Sequence, residues 1–240
     1  MLNATALHKS FGQRKILDGV DAAITPGQIT ALLGPSGSGK TTLLRALALV
    51  EPPDSGIVTI NGTNYNFPQK NTFTPPWPVV TVVFQELFLW PHLTLRENIL
   101  LPARNVGYVN LDEALEDVIE LLDMASFIDN YPNEASLGQR QRVAIARAIL
   151  LKPLYILMDE ITSALDIEQV HNILSLLPKL KERGIGILLI THHINFARKA
   201  ADTVLFLSDG KIAERGPAGI LEAPQSPRLQ QFLHIVSAVG

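Results

Sequence analysis

The segment 34–41 constrains the fold of this chain more than any other part of its sequence. It reads Gly-Pro-Ser-Gly-Ser-Gly-Lys-Thr, and it stands between an apolar run at 29–33 and a stretch with helical spacing at 41–50. A strand, a glycine-rich loop and a helix in this order form a P-loop, in which backbone N–H groups turn inward around phosphate oxygens. The positive end of the helix dipole favours the same anion. The segment therefore predicts a nucleotide phosphate site; the alternative is a glycine- and serine-rich turn that fits by chance.

The side chains of this loop have separate predicted roles. Lys40 reaches the β- and γ-phosphates, and the hydroxyl of Thr41 ligates Mg²⁺. Thr42 adds a hydrogen bond to a phosphate. The predicted nucleotide-binding residues of the loop are Gly34, Pro35, Ser36, Gly37, Ser38, Gly39, Lys40, Thr41 and Thr42.

Two acidic residues, Asp159 and Glu160, directly follow an apolar strand pattern at 154–158. The carboxyl ends of strands are where open α/β sheets bind their ligands. We expect Asp159 to hold Mg²⁺, through water, and Glu160 to orient or deprotonate the attacking water. The alternative is a solvated acidic turn.

The order of the apolar segments predicts an α/β fold. After residue 154, strand-like runs alternate with helical stretches, which is typical of a mostly parallel sheet covered on both faces. Turn signals at Asp18-Gly19, Pro26-Gly27 and Asn61-Gly62 predict an N-terminal antiparallel β subdomain.

A helical pattern occupies 111–151, in the middle of the chain. Leu115, Val118, Ile119 and Leu122 recur there with helical spacing. We expect a helical lobe at approximately 93–151, inserted in the α/β core. No internal repeat is visible, so 1–240 is expected to form a single domain.

Composition limits the partners and the compartment. The net charge of -3 supplies no electrostatic reason to expect a nucleic acid. Cysteine is absent from the sequence, which excludes disulfides and thiolate metal sites. We see no signal peptide and no run near the roughly 18 to 20 apolar residues of a membrane-spanning helix. If a membrane is involved, we expect another chain to supply the span.

Five further motifs carry a family resemblance. They are Ser-Phe-Gly around Phe11, Val-Val-Phe-Gln ending at Gln85, Ser136-Leu137-Gly138-Gln139 before a helical pattern, Ser-Ala-Leu-Asp ending at Asp166, and Thr-His ending at His192. In this order, and over nearly the whole chain, they resemble the ATPases of ABC transporters. The resemblance implies a P-loop NTPase core that binds ATP and Mg²⁺ and hydrolyses ATP.

The resemblance also implies a role for three single residues. Phe11 would stack on adenine, although a buried or surface-capping role is the alternative. Gln85 would link the Mg²⁺ site, as a ligand, to the contact with a permease; otherwise it is a loop glutamine after a strand. His192 would contact the γ-phosphate beside the catalytic Glu160, and the adjacent His193 is the other candidate.

The remaining two motifs are implied to act on the nucleotide of a second subunit. Ser136, Gly138 and Gln139 belong to the signature segment, and Asp166 to the D-loop. The chain departs from the family pattern at Leu137, where the signature usually has glycine, and at Ile167, where proline commonly follows the D-loop aspartate. We expect the signature to remain functional; a slower or regulatory ATPase is the alternative.

The resemblance further implies a head-to-tail pair of these subunits, most simply a homodimer, at the cytoplasmic face of the cell membrane. Transmembrane permease subunits and an extracytoplasmic solute-binding protein would complete an importer, and the stretch 195–212 resembles the branch for polar amino acids. The segment 88–94 resembles the permease-facing surface, with core packing as the alternative. A non-transport ABC ATPase and a P-loop kinase of small metabolites are the rival classes.

Overall fold

The structure is a computed structural model that describes residues 1–69, 72–108, 110–162 and 166–239. The described strands are β1 (Leu2–Phe11), β2 (Arg14–Ile24), β3 (Ile29–Leu33), β4 (Ser55–Ile60), β5 (Thr63–Phe67), β6 (Val80–Val83), β7 (Tyr155–Asp159), β8 (Gly186–Ile190), β9 (Thr203–Ser208) and β10 (Lys211–Pro217). The described α-helices are α1 (Lys40–Leu47), α2 (Leu95–Arg104), α3 (Leu111–Leu121), α4 (Leu137–Ile149), α5 (Ile167–Glu182), α6 (Ile194–Ala200) and α7 (Pro227–Val239). Short 3-10 helices occupy Pro132–Glu134 and Ala218–Leu221.

The N-terminal strands form an antiparallel sheet in the order β2-β1-β4-β5. Asn61 and Gly62 make the turn between β4 and β5, and both have positive φ, as a two-residue hairpin turn requires. The turn predicted at Asp18-Gly19 is wrong, because both residues lie inside β2. The pairing of β2 with β1 shifts register there, and a β-bulge accommodates the same residue types as a turn.

The second sheet has the order β10-β9-β3-β8-β7-β6, and every strand pair except β9 with β10 is parallel. All residues of β3, β7 and β8 are buried, which explains their continuous apolar sequences. Leu32 pairs with Ile190, and Ile190 pairs with Asp159. The carboxyl ends of these three strands therefore lie level with one another. The predicted α/β fold is confirmed.

The helices α2, α3 and α4 lie between β6 and β7 in the chain, although these two strands are neighbours in the sheet. Thr94 starts α2 with a capping box, in which its hydroxyl and the carboxylate of Glu97 each accept from the other residue's backbone N–H. The helical face predicted in this region is buried; it consists of Leu115, Val118, Ile119 and Leu122. Within the described ranges, the longest apolar helices fall short of what a membrane crossing needs.

The boundaries of two helices depend on the residues at their ends. The helix α5 begins at Ile167, because the side chain of Asp166 caps it and accepts a hydrogen bond from the backbone N of Gln169 at 2.8 Å. The helix α1 ends at Leu47, before the predicted 50, and Leu49 has the positive φ of a chain that has left the helix.

Candidate active site

The glycine-rich loop connects β3 to α1, and its backbone packs closely against β2. Gly39 is the N-cap of α1 with φ of 104°. A Cβ atom at this position would lie 2.9 Å from the carbonyl oxygen of Ile16. Both the conformation and the space therefore require glycine. The result is a helix N-terminus that begins at Lys40, directly beside the loop.

The side chain of Lys40 lies within the loop. It is 8% exposed, and its Nζ donates hydrogen bonds to the carbonyl oxygens of Gly34 at 2.9 Å and Pro35 at 3.0 Å. Burial lowers the pKa of the Lys40 ammonium, whereas the nearby carboxylates of Glu160 and Asp159 raise it. The loop thus holds a buried positive charge where phosphate oxygens are predicted to bind.

Asp159, the last residue of β7, carries a carboxylate that suits a hard cation. The side chain is buried, and Oδ1 has no hydrogen-bond partner among the described residues. Burial raises the pKa of Asp159, although a hydrogen bond with Thr41 acts in the opposite direction. An unpartnered carboxylate oxygen beside a threonine hydroxyl is the kind of oxygen pair that Mg²⁺ takes from a protein when phosphates supply further ligands. The residues present therefore fit this ion.

Glu160 and His192 meet at the carboxyl ends of β7 and β8. Nδ1 of His192 lies 3.7 Å from Oε2 of Glu160. The backbone of Glu160 has a positive φ of 47°, and its N–H donates to the carbonyl oxygen of Ile190 at 3.0 Å. The paired strand ends thus determine the position of both side chains.

His193 occupies a different position from its neighbour. Its ring lies 4.3 Å from that of His192, centroid to centroid, and its backbone N–H donates to Oγ1 of Thr191. Burial lowers the pKa of the His193 imidazole, the charge of His192 lowers it further, and the charge of Glu160 raises it. Both histidines therefore lie near Glu160, but the ion-pair contact at 3.7 Å is made by His192, which favours His192 over His193 as the functional histidine.

One cavity of about 1090 Å³ brings part of the predicted site together. The predicted residues that line it are Gly34, Pro35, Ser36, Lys40, Glu160 and His192, together with the alternative candidate His193. Residues of α6 and α7 also line it. Phe11, Gln85 and the signature residues lie outside this lining, so the described chain does not assemble all of the predicted site around one cavity.

Phe11 ends β1, and Arg14 pairs with it at the start of β2. The ring is 50% exposed, and Nζ of Lys9 lies 5.6 Å from its centroid. An exposed aromatic ring is available for stacking on a base. Because β2 also packs on Gly39, this hairpin lies against the phosphate loop.

The signature residues form the start of α4. Ser136 and Gln139 make a capping box: Oγ of Ser136 accepts from the backbone N of Gln139, and Oε1 of Gln139 accepts from the backbone N of Ser136. The hydroxyl proton of Ser136 remains available as a donor. Leu137, the first residue of the helix, is 36% exposed. This helix start presents backbone N–H groups and a hydroxyl, which together suit an anion.

Gln85 and Asp166 lie in other parts of the chain. Gln85 follows β6 and lines a groove of about 440 Å³ together with Leu137 and Phe88. Asp166 is exposed and caps α5. Three residues of the predicted D-loop, Ser163, Ala164 and Leu165, lie outside the described residues.

Arg147 is a residue whose role the sequence did not reveal. From α4 its guanidinium donates to the carbonyl oxygens of Leu87 at 2.6 Å and Phe88 at 2.8 Å, and it lies 5.5 Å from the ring of Trp90. This side chain ties the helix that follows the signature to the loop that follows Gln85. A positive residue among buried neighbours on α4 is the signal that could have identified it.

The chain is similar to known proteins over nearly its whole length. The profile of the family described as "ABC transporter" matches residues 17–163. The arginine transport ATP-binding protein ArtM of Bacillus subtilis (strain 168) is 40% identical over 97% of this chain and 98% of its own length. The glutamine transport ATP-binding protein GlnQ of Escherichia coli (strain K12) is 40% identical over 99% of this chain and 100% of its own length.

Solved structures share the fold. The dimeric ATP-binding cassette MJ0796 in a post-hydrolysis state, bound to ADP and Pi, has a TM-score of 0.80 at 31% identity, over 91% of this chain and 99% of that one. A nucleotide-free ATP-binding cassette from an ABC transporter has a TM-score of 0.84 at 25% identity, over 97% of this chain and 98% of that one. The fold and the site thus define an ATP-hydrolysing P-loop cassette. The chain belongs to the ABC transporter family, as an ATP-binding subunit.

Proposed function

We propose that this ATPase powers the uptake of a polar amino acid through a separate membrane permease. Relatives that align over nearly the whole chain are named for the transport of arginine, of glutamine and of histidine, lysine, arginine and ornithine. Their shared class of cargo supports a polar amino acid here. An extracytoplasmic solute-binding protein would deliver this cargo to the permease.

One observation carries the catalytic assignment: the phosphate loop, Glu160 and His192 line the same cavity. Lys40 and the loop N–H groups hold the β- and γ-phosphates of ATP. Glu160 orients or deprotonates the attacking water, and His192, beside Glu160, contacts the γ-phosphate. Phe11 stacks on the adenine.

We assign the Mg²⁺ site to Thr41, Asp159 and Gln85. Two observations support Asp159 and Thr41 as ligands. Oδ1 of Asp159 has no hydrogen-bond partner among the described residues, and the Asp159 side chain is hydrogen-bonded to Thr41. When bound, the ion neutralises part of the phosphate charge. Gln85 would reach the site from the loop after β6, which is the loop that Arg147 connects to α4.

The active unit is proposed to be a homodimer in which each ATP lies between the phosphate loop of one copy and the signature of the other. The start of α4 offers anion donors, with Ser136, Gly138 and Gln139 in its first turn. The structural likeness to a dimeric cassette supports this arrangement. In this proposal 93–151 forms the helical lobe that carries the signature, within a single domain at 1–240.

The contact with the permease is proposed to lie at the segment after Gln85. Phe88 is 60% exposed there, and the ring of Trp90 is partly exposed against Arg147. Exposed aromatic side chains next to a groove are typical anchors in protein interfaces. This contact would locate the subunit at the cytoplasmic face of the membrane.

ATP hydrolysis by the purified protein with Mg²⁺, beside the variant Glu160→Gln, tests the catalytic proposal. We expect the variant to lose at least about 100-fold in kcat and to form an ATP-dependent dimer in size-exclusion chromatography. A variant with unchanged turnover would contradict the role of Glu160.

Uptake of radiolabelled arginine, glutamine and leucine by cells lacking the gene tests the cargo class. The proposed class would be refuted if the uptake of leucine alone fell.

A regulatory cassette that binds ATP but barely hydrolyses it is the second candidate. The exposed Leu137 at the start of the signature helix favours it, because a branched side chain stands where the partner's nucleotide is proposed to approach. The wild-type turnover in the same assay separates the two candidates.

A further inference from the structure

Gln169, in the first turn of α5, holds both oxygens of the Asp166 carboxylate. The backbone N of Gln169 donates to Oδ1 at 2.8 Å, and its side-chain Nε2 donates to Oδ2 at 2.9 Å. An ordinary helix cap needs the first of these bonds alone. The second bond comes from a side chain that helix formation does not require, so the orientation of Asp166 depends on the identity of residue 169.

The same amide packs on the signature turn. Gly138 is buried, and a Cβ atom at this position would lie 2.5 Å from both Cδ and Oε1 of Gln169. The side chain of Gln169 therefore rests on the Cα atom of Gly138, in the first turn of α4. A side chain at position 138 would push the flexible end of Gln169 aside and so displace its amide from Asp166.

A second contact joins α4 to the segment that follows β7. The buried Gln141, further along α4, donates through Nε2 to the carbonyl oxygen of Ile161. The signature helix is thus attached both to the segment after the carboxylate pair and to the start of α5. Gln141 acts through a backbone atom, whereas Gln169 contacts two residues predicted to act on the partner's ATP.

We infer that Gln169 is a positioning residue that holds Gly138 and Asp166 at a constant separation, so that these two residues approach the partner's nucleotide as one unit. This inference rests on the proposed function, in which ATP binds between two copies. Without the amide, Asp166 keeps its cap but loses the bond to Oδ2, and the turn around Gly138 loses the group packed on it. The cost would fall on assembly over ATP rather than on the folding of α5.

Two variants separate positioning from simple stability. Gln169→Met keeps the length of the side chain but removes its donor, and Gln169→Glu places a second carboxylate beside Asp166. A glutamate in the first turn of a helix favours helix stability, so Gln169→Glu should retain its Tm while function falls. The exposed Gln231→Met on α7 is the matched control.

Each variant is measured for kcat, for ATP-driven dimerisation in the Glu160→Gln background, for nucleotide affinity of the dilute monomer, and for Tm. We expect Gln169→Met to lose roughly fivefold in kcat and in the dimerisation constant, as for one lost hydrogen bond. Gln169→Glu should lose more. Monomer affinity and Tm should match those of the control.

The double variant Asp166→Asn with Gln169→Glu restores a hydrogen bond of reversed polarity. If the two substitutions acted independently, the kcat of the double variant would be the wild-type kcat multiplied by the fractions that each single variant retains. We expect the measured kcat to exceed that value by roughly fivefold. Additive effects, or a Gln169→Met protein that equals wild type while wild type hydrolyses ATP and dimerises, would overturn this inference alone. A wild-type protein that does neither would overturn the proposed function and this inference with it.

Discussion

Nδ1 of His192 and Oε2 of Glu160 lie 3.7 Å apart, although the two residues follow different strands and the whole of α5 separates them in the chain. Their proximity follows from strand register. Because Asp159 pairs with Ile190, β7 and β8 end level with each other, and the residues that follow them lie at the same edge of the sheet. A histidine and a carboxylate at this distance can act together on one water molecule.

Replacement of His192 tests this pairing. We expect His192→Ala to lower kcat by roughly 100-fold with a smaller change in KM, because the lost interaction serves the reacting phosphate more than the bound ground state. His193→Ala is the matched control and should retain most of the turnover. Steady-state ATPase kinetics of both proteins checks the prediction, and a larger loss for His193→Ala would reverse the assignment.

Replacement of Asp159 should separate stability from activity. Burial raises the pKa of Asp159 above its usual value of 3.8, so the folded chain holds this proton more tightly than the unfolded chain does. The ionised carboxylate therefore lowers stability above the raised pKa, and this cost disappears as the pH falls through that value. We expect Asp159→Asn to raise Tm at pH 7 by about 2 to 4 °C and to abolish turnover.

Thermal unfolding without nucleotide, followed from pH 7 towards pH 4, measures this effect. The difference in Tm between Asp159→Asn and wild type should shrink as the pH falls. Asp117→Asn, at an exposed position of α3, supplies the control and should show no such trend. If Asp159→Asn were less stable than wild type at pH 7, interactions in the folded chain would outweigh the cost of burying the ionised carboxylate.

The unusual signature residue can be tested by shortening it. We expect Leu137→Gly to raise ATP-driven dimerisation and kcat, because removal of the exposed side chain lets the partner's nucleotide approach the start of α4. The same change should cost up to about 1 kcal/mol of stability, since glycine weakens a helix. Leu137→Ala separates the two effects: it removes most of the side chain but retains helix propensity. Lower turnover in both variants would show that Leu137 contributes to the interface.

Arg147 offers a test of the connection between α4 and the loop after Gln85. Truncation to alanine leaves the carbonyl groups of Leu87 and Phe88 without their donors, which we expect to cost about 1 to 3 kcal/mol. Arg147→Lys should restore part of this, because one ammonium can still reach a carbonyl oxygen. Chemical denaturation measures the difference, and the exposed Arg104→Ala is the control; equal stability of Arg147→Ala and wild type would contradict the role.

The parts of the site that are contiguous in the chain could be predicted from sequence. Lys40 begins the helix after the loop that follows β3, and Asp159 ends β7, so strand, loop and helix patterns identify such residues locally. The contacts of Arg147 with Leu87 and of Gln169 with Gly138 could not be predicted in this way, because they join segments that only tertiary packing brings together.

Local signals were also ambiguous where two structures use the same residues. Asp18 and Gly19 suit a turn and a β-bulge equally well, and only the pairing of β2 with β1 decides between them. Likewise, the sequence predicts Asp166 to be a D-loop residue. Its second role, as the cap of α5, depends on a hydrogen bond from the backbone N of Gln169.

Because the carboxyl ends of β3, β7 and β8 lie level with one another, the positions of the site residues depend on the length of each of these strands. Inserting one residue within β8 would turn its side chains to the opposite face and carry His192 about 3.3 Å further from its present height. Extra residues in the turn at Asn61 and Gly62 would leave these distances untouched. Insertions and deletions in the surface turns should therefore leave the site intact, whereas those within the three strands should disrupt it. A gap in an alignment of related sequences can be interpreted by which of these regions it lies in.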